Sequence, residues 1–543
     1  MSHRRSRYPL VLTWSRVENG RGARCGPSPR VVTEVGIIGV GPAGLVAARY
    51  LASEGFEPVL FEQGATIGGQ WSGDRAHSGI WPSMRTNTSR ILTAFSDLPH
   101  ADDANVYPSN QFIGEYLRAY AERFSLTSRV RLRTPVVALE RDRGGRRWLV
   151  RTPSGEHEFE YVVVATGAFQ RWTLPAVPGL ASFSGAGGVV HTYQYRDAES
   201  LRGRRVLIGG GAISALEIAS DLAMAGAASV TVTVRRQRYV LPKLAAGTPT
   251  DHIVFTRFHA LAEEAFTAER VNQMYTDAAL RLGGRPEHYG APAARATVGE
   301  AGLTLCQHFL PLVAEGRIDV RPWMTAVDGQ QVHFSDGRTG EFDAIVFGTG
   351  FELHLPFIAP AIRNTLGLDA QHIELHRRTF HPTLPRLAFA GLWDQAGPYF
   401  PPLELQARWI AYTWSGVVPA ASDDEMTAGV AADRANRQSS QKTRMNVVAL
   451  QFARAAGVEP SLERWPHLAM PLLFGPLSPV SFRLQGYDAL PDAPRRVVAD
   501  AEAFGCVRPA GPTTSQREQL DELAAASRDE SLKAALRVLR NTT

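Results

Sequence analysis

Residues 34–63 run EVGIIGVGPAGLVAARYLASEGFEPVLFEQ, and nearly every position in them has a structural task. Val35, Ile37 and Ile38 make a short buried strand. Gly39, Gly41 and Gly44 then force a tight turn, and AGLVAARYLAS continues with a helical apolar period. Val59-Leu60-Phe61 makes a second strand that stops at Glu62. Strand, glycine turn, helix and strand together form a β-α-β unit, the context that gives a GxGxxG its meaning.

In that context the three glycines imply a nucleotide. Gly39 allows the turn out of the strand, and Gly41 lets the backbone approach a pyrophosphate. Gly44 lets the helix pack close to the sheet with its N-terminus facing the phosphate charge. Glu62 stands where an acid hydrogen-bonds ribose hydroxyls. Its carboxylate would repel a 2′-phosphate, so this first site suits FAD or NAD rather than NADP. GATIGGQW follows at once. The flexible pair Gly68-Gly69, then Gln70 and Trp71, can lie along the ribityl chain and ring of a flavin.

A second unit of the same kind lies at 203–236, GRRVLIGGGAISALEIASDLAMAGAASVTVTVRR. Its glycine cluster reads in two frames, as GxGxxS on Gly209, Gly211 and Ser214, or as GxAxxA on Gly210, Ala212 and Ala215. The strand after its helix ends in Arg235-Arg236 where an acid would otherwise stand. Guanidinium groups there can clamp a 2′-phosphate, which favours NADPH over NADH. EYVVVATGAF at 160–169 and DAIVFGTGF at 343–351 are strands that each end in Thr-Gly, the latter at Thr349-Gly350. Segments such as RVRLRTPVVALERD and RRWLVRTPS read as a small antiparallel sheet between the two units.

The expected fold is therefore α/β, with two Rossmann-like dinucleotide-binding domains, the second inserted into the first, and a helical C-terminal extension. The expected spans are a disordered basic leader at 1–33 and a first FAD part at 34–175. An NADP-binding domain at 176–338, a second FAD part at 339–490 and a helical tail at 491–543 follow. Residues 244–300 look helical but suggest no chemistry.

Composition narrows the function classes. The chain of 543 residues carries a formal charge of +5, and only three of its 58 basic residues are lysine. The arginines are spread along the sequence with no basic stripe, which excludes a nucleic-acid footprint. Cys25, Cys306 and Cys506 form no CxxC, against a thiol-redox flavoenzyme or a zinc site and in keeping with a reducing cytoplasm. No apolar run approaches the roughly 18 residues of a membrane span.

Several longer segments share order and spacing with one family. EQGATIGGQW (62–71), SMRTNTSRILTAFSDLPH (83–100) and YPSNQFIGEYLRAYAERF (107–124) resemble the flavin-containing monooxygenases. So do DGRTGEFDAIVFGTGFELHLPF (336–357), LELQARW (403–409) and FGPLSPVSFRLQG (474–486). The resemblance spans roughly residues 34–490. It implies that NADPH reduces FAD, that reduced flavin captures dioxygen as a C4a-hydroperoxide, and that a soft nucleophile, an amine nitrogen or a sulfur in a small molecule, takes one oxygen atom. It also implies that Asn87 of RTNTSR is the active-site asparagine, with Thr86 beside it. Homodimers are common in that family, which leaves a homodimer open here.

One departure stands out. The family pattern FxGxxxHxxxY has five residues, not three, between Gly185 and His191, while the interval from His191 to Tyr195 is intact. His191 is open between a place near the nicotinamide and a purely structural one. The related Baeyer–Villiger monooxygenases, which oxygenate ketones, carry Trp where Tyr195 stands, so they are the second reading. A non-oxygenating NAD(P)H-FAD oxidoreductase or a nucleotide-binding sensor fits less of the pattern.

Overall fold

The computed structural model describes residues 33–543 except 75, 438–442, 508–510 and 542–543, so the expected leader lies outside the described residues apart from Thr33, which opens the first strand. Two five-stranded, wholly parallel sheets organise the chain. In the first, Leu387–Phe389, Tyr161–Val164, Thr33–Ile38, Phe56–Phe61 and Val130–Arg131 lie side by side in that order. In the second the order is Ile318–Pro322, Ser229–Val234, Arg205–Gly209, Ala344–Phe347, Gly188–His191. Both sheets place the strand before a glycine turn at the centre. The strand after the helix flanks it on one side and a strand leading into Thr-Gly flanks it on the other.

The first central strand and its helix Pro42–Ser53 form as the apolar pattern dictates. Val35 and Ile37 are fully buried, as are Leu45, Val46, Ala47 and Ala48 on the helix. Pro42 sits in the first helical turn, where its missing N–H costs nothing. Burying each Val, Leu or Ile side chain contributes about 1.5–3 kcal/mol. The outer face of this helix packs on a long buried helix, Phe400–Ser415.

Two expectations about the chain's course need correction. The segment DAIVFGTGF was placed after the return to the first unit, which was set at 339. Its strand Ala344–Phe347 instead pairs with Val206–Gly209 and Gly188–His191, so the second sheet continues past 338. An uninterrupted apolar strand such as AIVF suits the interior of either parallel sheet, and its sequence does not say which. The chain rejoins the first sheet only at Leu387–Phe389. Val130–Arg131, read as part of the antiparallel sheet, pairs in parallel with Leu60–Phe61. The antiparallel sheet itself is Ala138–Arg141, Trp148–Thr152 and Gly155–Phe159.

The two passages of chain between the sheets run beside each other. Arg171–Trp172 pairs antiparallel with Phe351–Glu352, and the Thr349 hydroxyl donates to the Thr173 carbonyl at 2.7 Å. Residues 244–300 form the helices Thr250–Val254, Arg257–Ala265 and Ala268–Gly283, which share the main core with the C-terminal helices. The tail helices Thr514–Ala526 and Glu530–Arg540 bury Leu520, Leu523, Leu536 and Leu539 in that same core.

Candidate active site

Both glycine turns open into one cavity of about 1680 Å³. That is larger than the roughly 300–1,000 Å³ of a site for one drug-sized molecule. Gly39, Gly41, Glu62, Gly69, Gln70 and Trp71 line one end, Thr86 and Asn87 the wall, and Gly210, Gly211, Ser214, Arg235, Arg236, Thr349 and Gly350 the rest. Gly44 and Gly209 lie behind the lining. A Cβ on Gly44 would stand 2.0 Å from the Gly39 carbonyl oxygen, and one on Gly209 would stand 2.5 Å from the Phe347 ring.

Gly39 has φ +102°, and its amide donates to the Phe61 carbonyl at 2.8 Å. Its missing Cβ leaves room for the Ala165 carbonyl, 2.5 Å from where that atom would be. Gly210 repeats each feature: φ +134°, an amide donating to Thr233 O at 2.9 Å, and the Gly348 carbonyl 2.5 Å from its missing Cβ. The helix Ile213–Ala225 is capped at Ala212 as Pro42–Ser53 is capped at Gly41. Geometry thus selects the frame on Gly210, Ala212 and Ala215, and sets aside that on Gly209, Gly211 and Ser214. Neither helix has a side-chain cap, so the amides of both first turns are unsatisfied by side chains.

Around the first turn, Gly69 is the roof. A Cβ there would come within 2.9 Å of Gly41 Cα, and φ is +57°, so both space and backbone require glycine. Glu62, buried at 8% exposure, accepts from Val40 N at 3.0 Å and Gly64 N at 2.8 Å, one bond on each oxygen. Gln70 spans the Phe169 carbonyl (3.0 Å) and the Gly79 amide (3.2 Å). Three residues of the lining carry a buried polar atom with no partner among the described residues: Asn87 Oδ1, Thr166 Oγ1 and Thr304 Oγ1. A buried acceptor or hydroxyl left unpaired costs free energy that a bound group would recover.

At the second turn, Val234 takes the place that Glu62 holds in the first, and Arg235-Arg236 follow. The Arg235 guanidinium lies over the Trp323 ring at 4.8 Å, and Arg236 Nη1 donates to Glu300 O at 2.9 Å. Sequence reading missed Arg238 and Arg295, which line the same end. Burial and the Arg236 charge lower the Arg238 pKa. It also passed over Thr166-Gly167, the counterpart of Thr349-Gly350, although the Thr-Gly ending was visible twice. Arg238 gave no signal in a chain this rich in arginine.

His191 does not reach the cavity. The two extra residues before it form the turn Gly185–Gly188, closed by Gly188 N donating to Gly185 O at 2.9 Å, so His191 keeps its register opposite Phe347. Its ring stacks on Trp172 (5.6 Å, 14°) and meets Phe351 edge-on (5.3 Å), clasping the two passages between the sheets. Burial pushes its pKa down to about 4, so it is neutral there. Tyr195 is also behind the wall, donating to Asp221 at 2.9 Å. Among the described residues no cluster of ligating side chains could hold a metal, and no helix is long and apolar enough to cross a membrane.

With this geometry in view, comparison with known proteins is specific. The family model for flavin-binding monooxygenase-like proteins matches residues 32–505. The dimethylaniline monooxygenase [N-oxide-forming] 2 of Oryctolagus cuniculus is 29% identical over 483 residues, 83% of this chain and 89% of that protein. Flavin-containing monooxygenase 5 of the same species is 28% identical, with the same coverage. The fold matches the S-allyl-L-cysteine S-oxygenase from Allium sativum at TM-score 0.57, with 24% identity over 79% of this chain and 89% of that one. It matches the NADP+-bound cyclohexanone monooxygenase from Rhodococcus sp. Phi1 at 0.58, with 17% identity over 79% and 97%. This chain belongs to the flavin-binding monooxygenase-like family, and is an FAD- and NADPH-dependent monooxygenase.

Proposed function

We propose that the enzyme oxygenates a small amine or thioether, with FAD along the first glycine turn and NADPH along the second. On this reading the two parallel sheets are paired dinucleotide-binding folds, the second inserted into the first. One observation carries the proposal: a single cavity joins both turns, and Asn87, whose Oδ1 has no partner among the described residues, is part of its lining. The residues fit both cofactors. Gly41 and Ala212 present uncapped helix N-termini to diphosphates, and Glu62 suits a ribose without a 2′-phosphate. Thr166 Oγ1 and Asn87 Oδ1 await polar partners. Arg235, Arg236 and Arg238 supply the cationic end that a 2′-phosphate needs.

When bound, FAD reduced by NADPH supplies the oxygen activation. The chain's part is to bind, orient and keep water out. Asn87 offers an amide at the cavity wall. Trp71, Tyr399 and Phe400 line the same space with aromatic surface and exclude solvent. An N-oxide-forming relative aligned over most of both chains supports a nitrogen or sulfur acceptor. The test is to supply the FAD-loaded enzyme and NADPH with a tertiary amine, a thioether and a cyclic ketone in parallel. Product formed per NADPH consumed is then measured against hydrogen peroxide released. Coupled N- or S-oxide formation is expected. Ester or lactone from the ketone alone would move the reading to a Baeyer–Villiger enzyme, and peroxide alone with all three would reject it.

A further inference from the structure

The turn that carries Asn87 is gripped from outside the first sheet. Thr86 closes it from within, its hydroxyl donating to Thr88 O at 2.8 Å. Thr86 N and Arg90 N donate to the carbonyls of Pro108 (2.9 Å) and Val106 (2.8 Å). Two further contacts come from the stretch 244–300, for which the sequence suggested no chemistry. Ser89 N donates to Asp251 Oδ2 at 2.7 Å, and Ser89 Oγ lies 2.8 Å from His252 Nε2. All three residues are buried, Ser89 and His252 completely.

Behind His252 stands the C-terminal segment. Cys506 Sγ lies 3.6 Å from His252 Nδ1, and the Phe504 ring meets the imidazole edge-on at 5.3 Å. Phe504 also lies under the Arg90 guanidinium at 5.5 Å and accepts from Thr248 Oγ1 at 2.9 Å. Two side chains of the inserted stretch, backed by residues some 250 positions later, thus fix a turn two residues from Asn87.

We propose that Asp251 and His252 are positioning residues for Asn87, and hold its amide at the place where oxygen transfer stays coupled to NADPH oxidation. The proposal rests on the assignment of Asn87 made above. Neither residue lines the cavity, so neither touches cofactor or substrate; they act through Ser89. Positioning of this kind shows in the outcome of the reaction, because a displacement of about 1 Å at a reacting group can cost on the order of a hundredfold.

The experiment compares the peroxide-to-product ratio of FAD-loaded Asn87→Ala, His252→Ala, Ser89→Ala and His252→Gln with a tertiary amine or thioether, recording the apparent KM for NADPH and the melting temperature for each. His259→Ala is the control for simple loss of stability. His259 is also buried but bonds to Thr256, not to the turn. Asn87→Ala, His252→Ala and Ser89→Ala should each raise the ratio roughly tenfold or more, with the KM for NADPH little changed. His252→Gln, whose amide reaches the Nε2 position, should restore most of the coupling, and His259→Ala should lower the melting temperature without uncoupling. If Asn87→Ala uncouples while Ser89→Ala and His252→Ala do not, the positioning role is wrong and the Asn87 assignment stands. Uncoupling by His259→Ala as large as that by His252→Ala would also overturn it, as a mere effect of instability. If Asn87→Ala stays coupled, the assignment fails and the positioning role fails with it. Ser89→Ala, which removes one hydroxyl, keeps the test decisive should His252→Ala not fold.

Discussion

At the scale of single residues, the two turns bring helix and strand together with different residues. In the first, Gly44 stands under Gly39 and the facing strand end carries Ala165. In the second, Ala215 stands under Gly210 and the facing residue is Gly348, whose absent Cβ would lie 2.8 Å from that of Ala215. A Cβ on Gly44 is barred by the Gly39 carbonyl, 2.0 Å away, whereas the Ala215 methyl fills the space that Gly348 leaves open. Gly348→Ala should therefore weaken NADPH binding and lower stability, and Gly348→Ala with Ala215→Gly should recover much of both. Titration of NADPH and thermal melts of the single and double variants would show the coupling. An unrescued double variant would mean that Gly348 matters for its backbone instead. Arg235 carries a second prediction. Arg235→Ala should raise the apparent KM for NADPH while largely sparing that for NADH. Equal effects on both would remove Arg235 from 2′-phosphate recognition.

At the scale of elements, the motif LELQARW resembles the family for reasons of architecture. It lies on the buried helix Phe400–Ser415, and its three polar residues tie that helix to at least four other segments. Glu404 accepts from Ser96 N at 2.7 Å and from the Tyr50 hydroxyl at 2.9 Å. Gln406 receives Gly391 N at 2.9 Å and donates to Phe389 O at 3.0 Å. Arg408, with no exposed surface, donates to Phe482 O at 3.0 Å and to Asp488 at 2.5 Å. Removing one partner of such a buried pair costs about 3–5 kcal/mol, so Arg408→Ala should lower the urea midpoint sharply. An unchanged midpoint would show that the pair is dispensable. Elements of this kind mark what was legible in the sequence. The glycine turns, their helices and the strands beside them were plain, because period and glycine spacing act over a dozen residues. The sheet that Ala344–Phe347 joins, the edge contact of His191 with Phe351 and the grip of Asp251 on Ser89 were not, because each depends on a partner more than 100 residues away.

At the scale of the whole molecule, buried histidines set the acid limit. Burial pushes His100, His191 and His259 from about 6.5 down to about 4, and His252 to about 3. Their unfolded values lie above their folded ones, so unfolding takes up protons between about pH 6.5 and 4. The stability that these groups contribute is complete above 6.5 and is lost as pH falls through that window. Burial raises Asp251 to about 7 and Asp500 to about 6, which works in the opposite sense over nearly the same range. Four groups against two leave a net uptake, and the unfolding constant should rise on the order of tenfold to a hundredfold per pH unit on acidification from 6 to 5. Urea midpoints measured across that range would show it, and a flat profile would mean that these histidines are solvated in solution. The paired passages Arg171–Trp172 and Phe351–Glu352 bear on backbone cleavage instead. With the two strands bonded to each other and the His191 ring wedged against them, a cut at one passage would leave the other as a tether.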